Sequence, residues 1–269
     1  MVEELDRLGL MYFSGKLGRQ VWPIGPVLLA PGSQARTRRD FGISPEEGKN
    51  WLDKKPCCSV LYVSFGSQNT ISASNMMQLA MALEGCGKNF IWVDRPPLGF
   101  DIISEFRANE WLLEGIEERI KDSGRGLLVH KWAPQVEILS HNALSAFLSH
   151  CGWNSVLESL SQGVPMIRWP MAAEQFYNVK FLEEKIGVCV EVARGMGCEV
   201  FHEEIVEKIA TVMNETEKGK EMRKKAWEVK EIINNATKDE ENFKRSSMKA
   251  IDRFLDVALK TRRRSKNEI

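Results

Sequence analysis

From residue 59 onward, short apolar runs alternate with longer stretches of helical periodicity. The runs 59–65, 90–93, 126–130, 146–149, 165–169 and 188–192 are four to seven residues long and rich in β-branched and aromatic side chains. That is the signature of strands buried on both faces. Between them, 73–86, 111–121, 134–140, 154–162 and 174–185 place apolar residues at helical spacing, and 94–110 reads as a long loop. Six strand–helix alternations, with crossovers of helical length, predict a parallel sheet covered on both faces. Right-handed crossovers then give an α/β fold, a doubly wound Rossmann-like domain.

The flanks read differently. Residues 3–17 suit an amphipathic helix, with Leu5, Leu8, Met11 and Tyr12 on one side. A short extended segment broken by Pro23 and Pro26 follows, and then the polar stretch 29–44, read as a linker. Ser44-Pro45-Glu46-Glu47 is a helix start: a cap residue, proline at the first position and acids in the first turn. After the last strand come helices over 202–213 and 217–237. A final helix is expected at about 240–260, with Phe243, Met248, Ile251, Phe254, Leu255 and Ala258 as its apolar stripe. The first and last helices are expected to expose apolar faces. The domains expected are thus 1–28, a linker over 29–44, a ligand-binding domain over 45–240, and a carboxy-terminal helix with a basic tail over 241–269.

Composition narrows the class. Lys+Arg and Asp+Glu are both 37, so net charge is zero and a general nucleic-acid binder is not expected. The six cysteines form no C-x-x-C pair and lie mostly in or beside apolar runs, which predicts reduced thiols rather than a disulfide framework. No signal-peptide pattern follows Met1, and no apolar run approaches the roughly 18 residues of a membrane span. A cytoplasmic chain is expected. The basic run near 262–266 reads as a solvated tail.

The candidate chemistry sits at the strand ends. A doubly wound sheet binds ligands at the carboxyl ends of its strands. The G-x-G-x-x-G dinucleotide fingerprint is absent after the first strand, which ends Phe65-Gly66-Ser67-Gln68, and no Walker A loop is present. Neither a nicotinamide dehydrogenase nor a P-loop NTPase is supported. Instead, polar and glycine clusters recur: Gly66-Ser67, then Lys131 to Gln135, then His150 to Ser155, then Pro170 to Gln175. All fall on one edge of the sheet, where one ligand can touch them. Gly152 permits close backbone approach, and Asn154 and Ser155 fall at a helix start, whose free N–H groups attract phosphate. Ser155-x-x-Glu158 also reads as a capping box, which would satisfy those N–H groups internally. Trp132, Trp153 and Trp169, taken singly, also read as core residues.

These residues carry a resemblance. Residues 132–175 resemble the plant secondary-product glycosyltransferase box, the donor-sugar signature of plant UDP-glycosyltransferases. The matching positions include Trp132, Ala133, Pro134, Gln135, His141, His150 through Ser155, Glu158, Gly163-Val164-Pro165, Trp169-Pro170 and Glu174-Gln175. Outside the box, Trp22-x-Ile24-Gly25-Pro26, Trp51-Leu52-Asp53 and Tyr62 through Ser67 match as well. The resemblance implies the carboxy-terminal, donor-binding domain of a GT-B fold, in which two Rossmann-like domains face each other across a cleft. It implies that Trp132 stacks on uracil beside Ala133 and Gln135, and that Glu158 binds the ribose hydroxyls. Ser67, His150, Asn154 and Ser155 would hold the diphosphate. Trp153, Glu174 and Gln175 would contact the sugar. Gln at the last position is associated in the family with glucose donors. The implied co-substrate is a UDP-sugar, with no cofactor and no metal.

The chain departs from the family pattern in three places: Asn142 through Ala146, Arg168 where a small residue is common, and Asp94 before an arginine. The acceptor-binding domain, with its catalytic base, has no counterpart. The four histidines are 130, 141, 150 and 202, and none matches it. Residues 1–28 resemble only the last helix and strand of that domain. The expectation is therefore a UDP-glycosyltransferase chain supplying the donor half, with no catalytic residue of its own. It would meet a small-molecule acceptor only where an amino-terminal domain is supplied. The alternative is a non-catalytic UDP-sugar-binding or interaction module.

Overall fold

The computed structural model describes residues 2–28, 42–101, 105–240 and 243–267. The expected linker lies outside the described residues but for 42–44, as do 102–104 of the expected loop. Two compact units are formed, one by 1–28 with 228–269 and the other by 29–227.

The larger unit is built on six parallel strands: β1 (Val60–Ser64), β2 (Asn89–Asp94), β3 (Gly126–His130), β4 (Leu144–Ser149), β5 (Met166–Arg168) and β6 (Cys189–Glu191). Their order is β3-β2-β1-β4-β5-β6, the doubly wound arrangement, with its switch point between β1 and β4. Every residue of β1, β4 and β5 is buried, which is why these strands read as continuous apolar runs. Tyr62 stacks on Phe147 across the β1–β4 pair, with centroids 4.9 Å apart. Trp169 is fully buried and meets Phe65 edge-on at 5.6 Å, so this tryptophan is core.

The helices follow local chemistry. In α2 (Pro45–Leu52) the Ser44 hydroxyl accepts from Glu47 N–H while the Glu47 carboxylate accepts from Ser44 N–H, a complete capping box. The helix expected at 111–121 is divided. Residues Ala108–Trp111 form the short α4, and α5 spans Ile116–Ser123. The break is at Gly115, whose left-handed backbone (φ +71°) precedes α5. The other crossover helices are α3 (Ala73–Gly85), α6 (Gln135–Ser140), α7 (Trp153–Gln162) and α8 (Gln175–Phe181), the last running into a π-helical turn at Leu182–Ile186. Helix α9 (His202–Met213) lies on the sheet, and α10 (Glu217–Thr237) follows it.

Two departures from the family pattern have structural explanations. Arg168 is buried, but it ion-pairs with Glu183 at 2.7 Å and Glu191 at 3.1 Å, so its charge is matched. Asp94 ends β2 opposite His130 in β3, and its carboxylate accepts from the imidazole Nδ1 at 2.7 Å. Burial raises the Asp94 pKa despite that bond, and the same bond raises the pKa of His130.

In the smaller unit, α1 (Arg7–Leu17) buries none of its residues, and Leu8, Met11, Tyr12, Phe13 and Leu17 are all more than half exposed. The last helix, α11, spans Ser246–Asn267 rather than starting near 240. Phe243 lies instead in β8 (Phe243–Lys244), paired antiparallel with β7 (Asp239–Glu240). Phe254 and Leu255 of α11 are exposed, and Phe254 meets Trp22 edge-on at 6.5 Å. The Ser247 hydroxyl donates to the Gly25 carbonyl at 2.6 Å. Among the described residues no helix is long and apolar enough to cross a membrane.

One packing prediction follows from β3. A Cβ on Gly126 would lie 2.5 Å from Phe90 Cζ and closer still to Ile120 Cγ2. Gly126→Ala should therefore cost about 1–3 kcal/mol by overpacking. Urea unfolding should show a lower midpoint with an unchanged slope.

Candidate functional site

The carboxyl ends of the strands carry a repeated backbone device. Gly66 after β1 (φ +76°), Lys131 after β3 (φ +85°), Cys151 after β4 (φ +61°) and Ala173 after β5 (φ +54°) all adopt left-handed conformations. Three of them are not glycine, a costly choice that clusters at functional sites. Each turn lifts the chain off its strand. Gly66 itself and residues beside the other three line a cavity of about 540 Å³ over the β1–β4 switch point.

Eleven of the twelve sequence-predicted donor residues line that one cavity. Ser67 follows β1; Trp132, Ala133 and Gln135 follow β3; His150, Gly152, Trp153, Asn154, Ser155 and Glu158 follow β4; and Glu174 follows β5. Gln175 does not line it. Its Oε1 accepts from the Met171 and Ala172 amides at 2.8 and 3.1 Å, which fixes the turn after β5. His141 is structural too. Its Nε2 is 3.0 Å from Asp53 Oδ1 and its Nδ1 accepts from Ala143 N–H.

The alternative capping box in α7 is not formed. The helix starts at Trp153 after Gly152, so Ser155 and Glu158 lie inside it, and no side chain caps it. Its first N–H groups thus open toward the cavity with the positive end of the helix dipole behind them. Ser155 and Glu158 instead belong to a polar cluster. Gln135 Nε2 donates to Glu158 Oε2 at 2.8 Å and to Ser155 Oγ at 3.2 Å. Gln135 in turn is held by α6, whose Val136, Ile138 and Leu139 are buried.

His150 is the cavity's titratable centre. It is 7% exposed, and a Cβ on Gly66 or Gly152 would lie about as close to the imidazole as 2.6 and 2.5 Å, so both glycines are required for the ring to sit here. Burial lowers its pKa to about 4, and Glu174 offsets only part of that. The Ser64 backbone offsets a further part, and the ring is neutral at pH 7. A neutral imidazole is a hydrogen-bond donor here rather than a cation.

Arg95 and Tyr62 are among the lining residues outside the expected donor set. Arg95 follows β2 and donates to the Ser67 carbonyl and the Lys131 carbonyl, both at 3.2 Å, so it ties the loops after β1 and β3 together. Its signal in the sequence was the arginine of the family pattern, which here follows Asp94. Tyr62 projects from β1, with its hydroxyl 3.5 Å from Gln135 Oε1. Outside the cavity lining, the fold brings Asp94, Glu117 and His130 together, with ligand-type atoms within 4.8 Å of one another. The imidazole lies between the two carboxylates, 3.5 Å from Glu117, and Phe106 stacks on it at 5.3 Å. The group is an ion-pair sandwich behind the Lys131 turn.

This geometry has known counterparts. UDP-glycosyltransferase 92A1 of Arabidopsis thaliana is 56% identical over 96% of this chain and 52% of its own length. Anthocyanin 3'-O-beta-glucosyltransferase of Gentiana triflora is 37% identical over 87% of this chain and 49% of its own. The structure of Phytolacca americana UGT2 complexed with UDP-2fluoro-glucose and pterostilbene superposes with a TM-score of 0.78 at 32% identity, over 95% of this chain and 52% of that one. The chain spans about half the length of the curated relatives it matches, and corresponds to their carboxy-terminal half. Residues 44–225 match the family described as UDP-glucoronosyl and UDP-glucosyl transferase, and the chain belongs to that family.

Proposed function

We propose that this chain is the donor-binding half of a UDP-glycosyltransferase. In this reading 45–240 binds the UDP-sugar and 1–28 belongs with the acceptor domain. The reaction is glucosyl transfer from UDP-glucose to a hydroxyl of a small lipophilic plant metabolite. The observation that carries it is the uncapped start of α7 opening on the same cavity as neutral His150 and Trp132. Trp132 stacks on the uracil, Gln135 and Glu158 take the base edge and ribose hydroxyls, and Ser67, His150, Asn154 and Ser155 hold the diphosphate. Trp153 and Glu174 meet the sugar. As the glycosidic bond breaks, negative charge grows on the departing UDP. Donors fixed in advance stabilise that charge more in the transition state than in the ground state. No step in this scheme calls for a metal.

One observation favours a second reading, a UDP-sugar-binding or interaction module without transfer activity. The acceptor hydroxyl must lose a proton, and a general base contributes about 10²–10⁴-fold. Of the cavity's acids and bases, His150, with its pKa of about 4, is too weakly basic at neutral pH, and the carboxylates Glu158 and Glu174 are taken in this reading by the ribose and the sugar.

Calorimetric titration of UDP into the folded chain tests the common core of both readings. Saturable one-to-one binding is expected. A chain with a native circular dichroism spectrum and no binding overturns them. Glucose transfer to a panel of phenols by the chain alone separates the two: turnover excludes the inert module.

A further inference from the structure

Cys57 and Cys58 lie at the opposite end of β1 from the cavity, in the exposed turn that leads into the strand. In an extended chain, consecutive side chains point to opposite faces, which keeps neighbouring sulfurs apart. Here Cys58 adopts a left-handed conformation (φ +52°), and the two Sγ atoms stand 3.5 Å apart. The conformation is held from outside the pair. Cys58 N–H donates to the Asn142 carbonyl at 3.0 Å, Ser59 N–H donates to Ala143 at 2.9 Å, and Cys57 Sγ donates to the same Asn142 carbonyl at 3.2 Å.

We propose that Cys57 and Cys58 form a chelating dithiol site for a soft, thiophilic ion such as a d¹⁰ divalent cation or a trivalent arsenical. The spacing suits this. Two thiolates at about 2.3 Å from a tetrahedral ion are about 3.8 Å apart, near the separation already present. Disulfide formation suits it poorly. The sulfurs would have to close to about 2.05 Å, and adjacent α-carbons across a trans peptide are about 3.8 Å apart, below the usual disulfide range of about 4.4–6.8 Å. Soft sulfur ligands select soft ions. Burial and the neighbouring Cys57 raise the Cys58 pKa, so Cys58 rests as a thiol and ion binding displaces its proton. The other cysteines differ: Cys151 and Cys189 are buried, and Cys86 and Cys198 are half-buried.

The test is phenylarsine oxide followed by intact mass. Two S–H bonds break, two As–S bonds form, and the oxide oxygen leaves as water with both protons, with no change in oxidation state. One adduct per chain is expected at stoichiometric reagent. Cys57→Ser and Cys58→Ser should each weaken it about a hundredfold or more, because the second thiol acts at high effective concentration. Cys86→Ser and Cys198→Ser should leave it unchanged. Both serine variants at the site are exposed, near-isosteric changes, and unaltered melting and UDP titration serve as folding controls. An adduct that persists in either single variant, or a Cys57–Cys58 disulfide formed in preference on mild oxidation, overturns the proposal. Its outcome is independent of the UDP-binding reading, since the pair lies away from the cavity.

Discussion

A Glu158→Ala chain should bind UDP about ten- to a hundredfold more weakly than the parent. Glu158 is 8% exposed on the second turn of α7, and one of its oxygens already accepts from Gln135 at 2.8 Å. The carboxylate is thus held in place before the ligand arrives, so little ordering is needed to bind two ribose hydroxyls. Hydrogen bonds to a charged group are worth about 1.5–3 kcal/mol, which converts to about that range of affinity. Glu158→Gln keeps the size and loses the charge, and should fall between the two. A ligand-side deletion separates contact from packing. A UDP analogue lacking both ribose hydroxyls should bind the parent and Glu158→Ala equally weakly, because the partner of the missing carboxylate is then gone from the ligand. If the variant loses the same factor for UDP and for the analogue, Glu158 acts through the fold and not on the ribose. Undiminished UDP binding by the variant would remove Glu158 from the site altogether.

Much of the fold was legible because its determinants are local or periodic. Strands buried on both faces leave near-continuous apolar runs, and Ser44 to Glu47 writes its own helix start. What failed was local signal overruled by a single residue or a distant partner. Trp111 to Lys121 keeps a helical pattern, but Gly115 turns left-handed and splits it. Phe243 sits at helical spacing from Phe254, yet the chain pairs it across a two-stranded hairpin, a choice that periodicity does not register. The candidate site was legible through recurrence, since polar clusters at the ends of four of the six strands are not what independent core residues produce. Its finer assignments depend on side-chain direction. Gln175 follows Glu174 immediately, but the left-handed turn at Ala173 brings the Met171 and Ala172 amides onto its oxygen. Trp169 shares the box with Trp132 and Trp153 but lies in the core beside Phe65, whereas the other two line the cavity. Arg95 matches the family pattern after Asp94, but that pattern does not say what it holds. Its importance comes from reaching two carbonyls that only the folded sheet brings within range.

His150 should make the chain acid-labile in a way that one substitution abolishes. In the folded state its pKa is about 4, against about 6.5 when unfolded, so the unfolded chain binds the proton more readily between those values. Stability therefore rises with pH through that window, is fully present above pH 6.5, and is lost on acidification. The linkage amounts to about 2 kcal/mol lost by pH 5 and about 3 kcal/mol by pH 4. Carboxylates and the Asp94–His130 pair titrate too, so the informative quantity is the difference between the parent and His150→Gln, in which those contributions cancel. Urea unfolding of both proteins at pH 7 and pH 5 should show the parent losing about 2 kcal/mol more than the variant. Parallel losses would place His150 in contact with water and return its pKa to the ordinary range. The same experiment with saturating UDP carries the argument to function. A diphosphate facing the ring favours the imidazolium, so binding should tighten as pH falls and the parent's acid loss should shrink. In His150→Gln, UDP should stabilise the fold without that added pH dependence. A UDP effect on the pH profile that is identical in both proteins would place the diphosphate away from His150.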